Sequence, residues 1–290
     1  MKRLLLSLFA TVALTTAAHA EPAMWVLRDA DSTVTLLGSV HALSPGTEWR
    51  GSRVNAAIAA AERVVFETPQ TVTREEYLAT QQRMEAAGRS TGKALLSSLL
   101  SAAGRERLRR HAPTLGLTQA ELEGLKPWYA AFKLELAADK RDGARSELGV
   151  ERQIVAALRP EQTVDAFEKS PDLVAVLSTH PEREQLRLLE GVLEGLDKPQ
   201  QRRTESTEIE RSWAAGRIGP LLDQTLSLKA SSPEVYERLV SNRSRAWVDR
   251  IATMLKGSKD VLVVVGAGHL VGPDGLPTLL RTRGVRVEGP

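Results

Sequence analysis

The sequence predicts a mixed α/β (α+β) protein: one central sheet built from strands near the two ends of the chain, with large helical insertions covering it. Three observations carry this. The apolar runs VTLLG at Val34–Gly38 and VLVVVG at Val261–Gly266 end in glycine and read as buried strands. Two long stretches between them, about 73–140 and about 172–256, have helical apolar spacing. The composition is rich in Ala, Leu, Arg and Glu and only 4% aromatic, which favours helices.

The N-terminus stands apart. Lys2 and Arg3 precede an apolar run, Leu4–Leu14, and Ala18-His19-Ala20 is an A-x-A site. This is the pattern of a secretory signal peptide cleaved after Ala20, so the protein is expected in the periplasm or outside the cell. Residues 21–290 are then read as a single domain. No later apolar run is long enough for a membrane anchor.

After Ala20, Met24–Arg28 and Ser32–Gly38 read as strands joined by a turn at Asp29–Asp31. Gly38–Gly46 is a loop holding His41, Ser44 and Pro45. Trp49–Arg63 has helical spacing through Val54, Ala57, Ile58 and Ala61, and Arg63–Glu67 is a short strand. Thr73 with Glu76 forms a capping box that opens a helix reaching about Ala87. Shorter helices follow at Lys93–Leu100, Ala102–His111, Gln119–Leu125 and Pro127–Lys140, then a polar loop over 141–149. Glu151–Leu158 is a helix and Thr163–Phe167 a strand ending near Glu168. Asp172 to about Lys256 is helical, with breaks at Gly195–Pro199, Gly216–Pro220 and Ser231–Pro233. Asp260–Val265 is a strand, Leu276–Arg283 a helix and Val285–Glu288 a last strand.

Charge and cysteine content exclude several classes. The net charge of +3 falls to +1 without Lys2 and Arg3, and no basic run is interleaved with aromatics, so nucleic acid is not an expected partner. There is no cysteine, hence no disulfide, and any metal site must use imidazole, carboxylate, amide or water.

The candidate chemistry sits where strands end. Gly38 and His41 share the Gly-x-x-His spacing of Gly266 and His269, each at the C-terminal mouth of a strand. Glu67 ends the VVFE strand. A lone Gly-x-x-His carries little weight; the joint pattern carries the expectation. If the three strands run parallel, His41, Glu67 and His269 share one sheet edge. Two imidazoles and a carboxylate suit an open divalent-metal site that keeps a position for water. Such an ion lowers the pKa of its water and polarises a carbonyl. Mn, Co, Zn or Fe fit the donor types. His111, near a helix end, reads as structural, and His180, before Pro181, as a surface residue. No G-x-S-x-G elbow surrounds Ser39 or Ser44, and Gly266-Ala267-Gly268 lacks the third glycine of a dinucleotide loop.

Four segments carry a family likeness: LLGSVHALSP at Leu36–Pro45, VVFE at Val64–Glu67, SRAWVDRI at Ser244–Ile251 and VVVGAGHLVGPDGLPTLLRTRGVRV at Val263–Val287. With these the chain resembles the TraB/GumN (TraB/PrgY/GumN) family, related to Tiki-type metalloproteases, over nearly all of its length after residue 20. The resemblance implies a metal-dependent, hydrolase-like site built from His41, Glu67 and His269. In the Tiki branch it implies peptide cleavage with Mn or Co. The family's Arg-Asn pair falls on Arg243 and Ser244; serine replaces the asparagine, although Asn242 is adjacent. The family's middle segments fall on Gly149-Val150-Glu151 and Phe167-Glu168-Lys169. The expectation is an exported metal-dependent hydrolase acting on peptide or amide bonds. His41 and His269 would be metal ligands, and Glu67 a third ligand or the general base. Arg243 would stabilise an oxyanion or orient a carboxylate. The alternatives are a protein that sequesters peptide without cutting it, or an envelope or polysaccharide accessory protein. Substrate, metal identity and oligomeric state are left open by the sequence.

Overall fold

The computed structural model describes residues 20–70 and 73–290, without the side chains of 170–173. The expected signal peptide lies outside the described residues, except for Ala20. Six strands form one sheet: β1 (Met24–Arg28), β2 (Thr33–Ser39), β3 (Arg63–Phe66), β4 (Thr163–Ala166), β5 (Val261–Gly266) and β6 (Val287–Glu288). Their spatial order is β4-β3-β5-β2-β1-β6. The pairs β2–β5, β5–β3 and β3–β4 are parallel. β1 lies antiparallel between β2 and β6. The four parallel strands therefore end on one edge.

β5 is apolar throughout because both sheet faces are covered. Leu262 and Val264 face one core with Leu37, Val64 and Phe66, closed by Trp49, Ile58 and Trp213. Val261, Val263 and Val265 face the other with Leu36 and Val65, closed by Trp247, Ile251 and Leu280. The period of two along each strand sorts these side chains. The helices Pro199–Ala214 and Asn242–Leu255, both from the second insertion, supply covering residues on opposite faces. The first insertion instead joins the Glu182–Leu196 helix in a core of its own, with Leu108, Leu122, Trp128, Leu134, Leu189 and Leu193 fully buried or nearly so.

Most expected elements form, with shifted ends. The helix expected over Trp49–Arg63 is Ser52–Ala60. The Glu21 carboxylate accepts from the Arg53 and Val54 amides at its start, and Ala61 turns extended to enter β3. Thr73 and Glu76 make the expected capping box at the head of Arg74–Gly88. The helix expected over Lys93–Leu100 shrinks to Leu96–Leu99, and Val285–Glu288 to Val287–Glu288. The second insertion has one further break, where Pro181 caps Glu182–Leu196. Its last helix, from Pro233 to Leu255, contains a π segment at Glu237–Ser241. Such segments mark strained or functional places in helices.

Candidate functional site

The strand order places four side chains along one edge. Glu168 follows β4, Glu67 follows β3, His269 follows β5 and His41 follows β2. β2 and β5 are hydrogen-bonded neighbours with Ser39 opposite Gly266. A side chain would be crowded at two of these turns, where glycine stands. A Cβ on Gly38 would stand 3.1 Å from both Cα and Cβ of Ala267, and one on Gly266 would stand 3.3 Å from Glu67 Oε2. Arg243 and Ser244 reach the same edge from the first turns of the Asn242–Leu255 helix, just after the π segment.

Arg243 is the hub. Its Nη2 donates to Glu67 Oε1, and its Nε and Nη2 form a fork on Glu168 at 2.7 and 2.8 Å. Its Nη1 donates to the Leu239 carbonyl at 3.1 Å and lies 3.4 Å from His269 Nε2. The guanidinium also lies 4.9 Å from the centroid of Trp247, whose ring packs 4.5 Å from that of His269. An arginine can only donate, so the contact leaves the lone pair of His269 on Nε2. The ring proton is then on Nδ1, donating to Ser244 Oγ at 2.9 Å. His269 Nε2 lies 4.0 Å from Glu67 Oε2, which also accepts the Gly266 amide at 3.0 Å.

The titration behaviour follows from these partners. Burial drives the His269 pKa down to about 4, so its imidazole is neutral at physiological pH. Burial opposes ionisation of Glu67, but His269, Arg243, His41 and the Gly266 amide outweigh it and bring the carboxyl to about 2. With His269 neutral above about 4, Arg243 and the protonated His41 are the cations that continue to favour ionised Glu67. His41 differs. Its Nδ1 donates to Glu151 Oε1 at 2.7 Å, and this hydrogen bond raises its pKa to about 9 against desolvation. Its side chain is 70% exposed, whereas that of His269 is 6% exposed.

His41, Glu67, His269 and Arg243 therefore meet at one edge, close enough for His41 to act on the charge of Glu67. The donor set fits a divalent cation in one specific respect. Each imidazole has Nδ1 held by an oxygen, as in a metal-ligating histidine, but ligation requires His41 to give up the proton that Glu151 favours and His269 Nε2 to part from Arg243 Nη1. As the side chains stand, no three His, Asp or Glu groups among the described residues are gathered closely enough to hold an ion.

Four features were not evident from residue types, although the family resemblance had pointed to Glu168, and more weakly to Glu151, as acidic groups near the site. Glu151 anchors His41, and Glu168 shares Arg243 with Glu67. Ser244 anchors His269, while Asn242 lies on an exposed side near Arg245. Gly149 lets the Val150–Val155 helix start against the loop of His41: a Cβ there would stand 2.2 Å from the His41 carbonyl oxygen. The Val150 amide also donates to the Val40 carbonyl at 3.1 Å. His111 has the structural role expected, 2.7 Å from Asp197. His180 does not lie on the surface. It is 7% exposed, because the turn into Glu182–Leu196 carries it inward under the helices.

A parallel-stranded edge bearing two fixed imidazoles, two carboxylates and a shared guanidinium defines an α/β protein with a polar strand-end site. The match to the TraB/PrgY/gumN family over residues 23–289 shows that this chain belongs to that family. It is similar to YbaP of Escherichia coli (strain K12) and to YbaP of Shigella flexneri, 25% identical to each over 178 residues. That alignment covers 61% of this chain and 64% of either relative, so it spans just under two thirds of their length. No solved structure matches the chain.

Proposed function

We propose that the protein is a metal-dependent hydrolase of peptide or amide bonds, with His41, Glu67 and His269 as its metal ligands. The observation that carries this reading is that both histidines are fixed through Nδ1, by Glu151 and Ser244, at the strand edge that also bears Glu67. A divalent ion, Mn or Co by family likeness and Zn or Fe by donor type, would supply an activated water and polarise the scissile carbonyl. The chain's own groups would do the rest. Glu67, ionised and acceptor-only, can take a proton from water as general base or serve as the third ligand. Arg243, whose N–H groups are all engaged, holds the carboxylates of Glu67 and Glu168 in place, the orienting role rather than the oxyanion one. Trp247 walls His269 off from water on one side.

The Lys2-Arg3 start, the apolar run and the A-x-A site support export to the periplasm or beyond. No helix among the described residues is long and apolar enough to cross a membrane.

The test is titration of chelated protein with Mn(II) or Co(II), followed by hydrolysis of a peptide library. Wild type is expected to bind metal and cleave, and His41→Ala and His269→Ala to lose both properties. Variants that bind and cleave like wild type would overturn the assignment. One observation favours a second reading, peptide sequestration without cleavage. Arg243 is locked between Glu67 and Glu168, which makes the edge a fixed polar surface able to hold a peptide's amide groups without cutting them. Mass spectrometry of peptide recovered after incubation separates the two readings: cut in the first, intact in the second.

A further inference from the structure

The helix that carries Arg243 and Ser244 to the strand edge is tied to the loop behind His269 by one carboxylate. Asp274 is buried and accepts from four side chains. Lys229 Nζ and Tyr236 Oη donate to its Oδ2, both at 3.0 Å. Ser241 Oγ and Arg245 Nη2 donate to its Oδ1 at 3.0 and 2.9 Å. Asp274 comes from the turn 271–275, directly after the Ala267–Leu270 turn that holds His269. The later turn is tight. Gly272 has φ +79°, and a Cβ on Gly275 would stand 2.7 Å from the Val271 carbonyl oxygen.

Three of the four donors sit on the interrupted helix from Pro233 to Leu255, on both sides of its π segment. Tyr236 precedes Glu237–Ser241, Ser241 ends it, and Arg245 lies one turn further on. Within the segment the Asn242 amide donates to the Glu237 carbonyl, five residues back instead of four. Residues five apart in an α-helix lie about 140° apart around the axis and do not face one partner. The widened turn brings Tyr236 and Ser241 to the same carboxylate. It also turns everything after it by one residue, about 100° from where an unbroken α-helix would point it. Arg243 and Ser244 follow directly and meet Glu67 and His269 from these displaced positions. Ser241 to Asp274 and Ser244 to His269 are thus two rungs between the same helix and the same stretch of chain.

We propose that Asp274 is a positioning residue of the strand-edge site: by bonding to Tyr236 and Ser241 together it holds the π turn open, and so aims Ser244 at His269 and Arg243 at Glu67. It acts through the helix and not on the reacting groups. Lys229 marks the difference between this role and simple anchoring. It comes from Gly219–Ser231, outside the interrupted helix, so its bond holds the carboxylate without bearing on the π turn. Any consequence for metal binding or hydrolysis rests on the hydrolase reading above; the aim of the two side chains does not.

The experiment is nitrogen NMR of the imidazoles in the chelated full chain, comparing wild type with Asp274→Asn, Ser241→Ala, Tyr236→Phe and Lys229→Met. Asp274→Asn keeps the shape but turns one acceptor oxygen into a donor. Wild-type His269 should show a single tautomer protonated on Nδ1. Asp274→Asn should shift both His269 resonances towards the averaged values of a ring without a fixed partner. Ser241→Ala and Tyr236→Phe should shift them the same way by less, and His41 should stay put in all three. Lys229→Met removes an equally short bond to the same carboxylate and should leave His269 as in wild type. If Asp274→Asn does not fold, Ser241→Ala and Tyr236→Phe decide. In a Co(II) titration, affinity should fall about tenfold in Asp274→Asn and stay unchanged in Lys229→Met. A wild type that binds no Co(II) counts against the metal reading alone; the imidazole shifts still decide the proposal. It is overturned if His269 in the folded Asp274, Ser241 and Tyr236 variants matches wild type, or if Lys229→Met moves it as far as they do.

Discussion

Two neighbouring strands end in the same Gly-x-x-His spacing and deliver their histidines in opposite states. β5 drops His269 under Trp247 and beside Arg243, where burial keeps it neutral. β2 sends His41 to the exposed rim, where Glu151 favours the protonated ring. The spacing sets where each ring leaves the sheet; the element packed over it sets its charge. For His269 that element is the Asn242–Leu255 helix, which brings a hydroxyl and a guanidinium. For His41 it is the first turn of Val150–Val155, which brings a carboxylate. A local repeat thus yields one neutral acceptor and one cation.

The sharpest way to break this contrast is to remove what stabilises the His269 side. Arg243→Ala leaves Glu67 and Glu168 buried without their cation and is expected to cost about 3–5 kcal/mol in chemical denaturation. Arg243→Lys should lose less, because it keeps the charge but not the fork. Gly149→Ala attacks the His41 side. Its Cβ would press on the His41 carbonyl, so the backbone must move and the Glu151 contact open, at about 3 kcal/mol. The His41 imidazole resonances in nitrogen NMR should shift while those of His269 stay put. Ser244→Ala is expected to cost about 1–2 kcal/mol, since it leaves His269 Nδ1 buried and unpaired. Here the His269 resonances should move and those of His41 should not.

The pH dependence of the chelated protein tests the contrast without any large change in structure, and the two histidines enter it with opposite signs. His269 is depressed from 6.5 to about 4, so the unfolded chain binds the extra proton and stability falls as pH drops from 6.5 towards 4. His41 is raised from 6.5 to about 9, so its contribution is complete below 6.5 and is lost as pH rises towards 9. His269→Gln should flatten the acid limb and His41→Gln the alkaline limb. Thermal melts from pH 4 to 9 in which both variants flatten the same limb would contradict the contrast.

Much of the sheet was legible because its signals are local. The apolar runs of β2 and β5 alternate between two covered faces, and the glycines mark where they turn. The capping box of Thr73 and Glu76 and the helix Ala102–His111 need only neighbouring residues, and both form as read. Ends moved where a distant group intervened, as when Glu21 capped the helix at Ser52–Ala60. His180 was misread for the same reason. A histidine before proline looks like a surface turn, and only the packing around the start of Glu182–Leu196 buries it.

The sequence by itself determined that His41, Glu67 and His269 leave the ends of buried strands, because hydrophobic period and glycine placement act over a few residues. Tertiary structure alone decided that those strands run parallel as neighbours, that Arg243 joins Glu67 to Glu168, and that one histidine is buried and the other is not. These outcomes depend on contacts between residues in different elements, from 25 to 176 positions apart, whose desolvation and pairing exist only once the chain has packed.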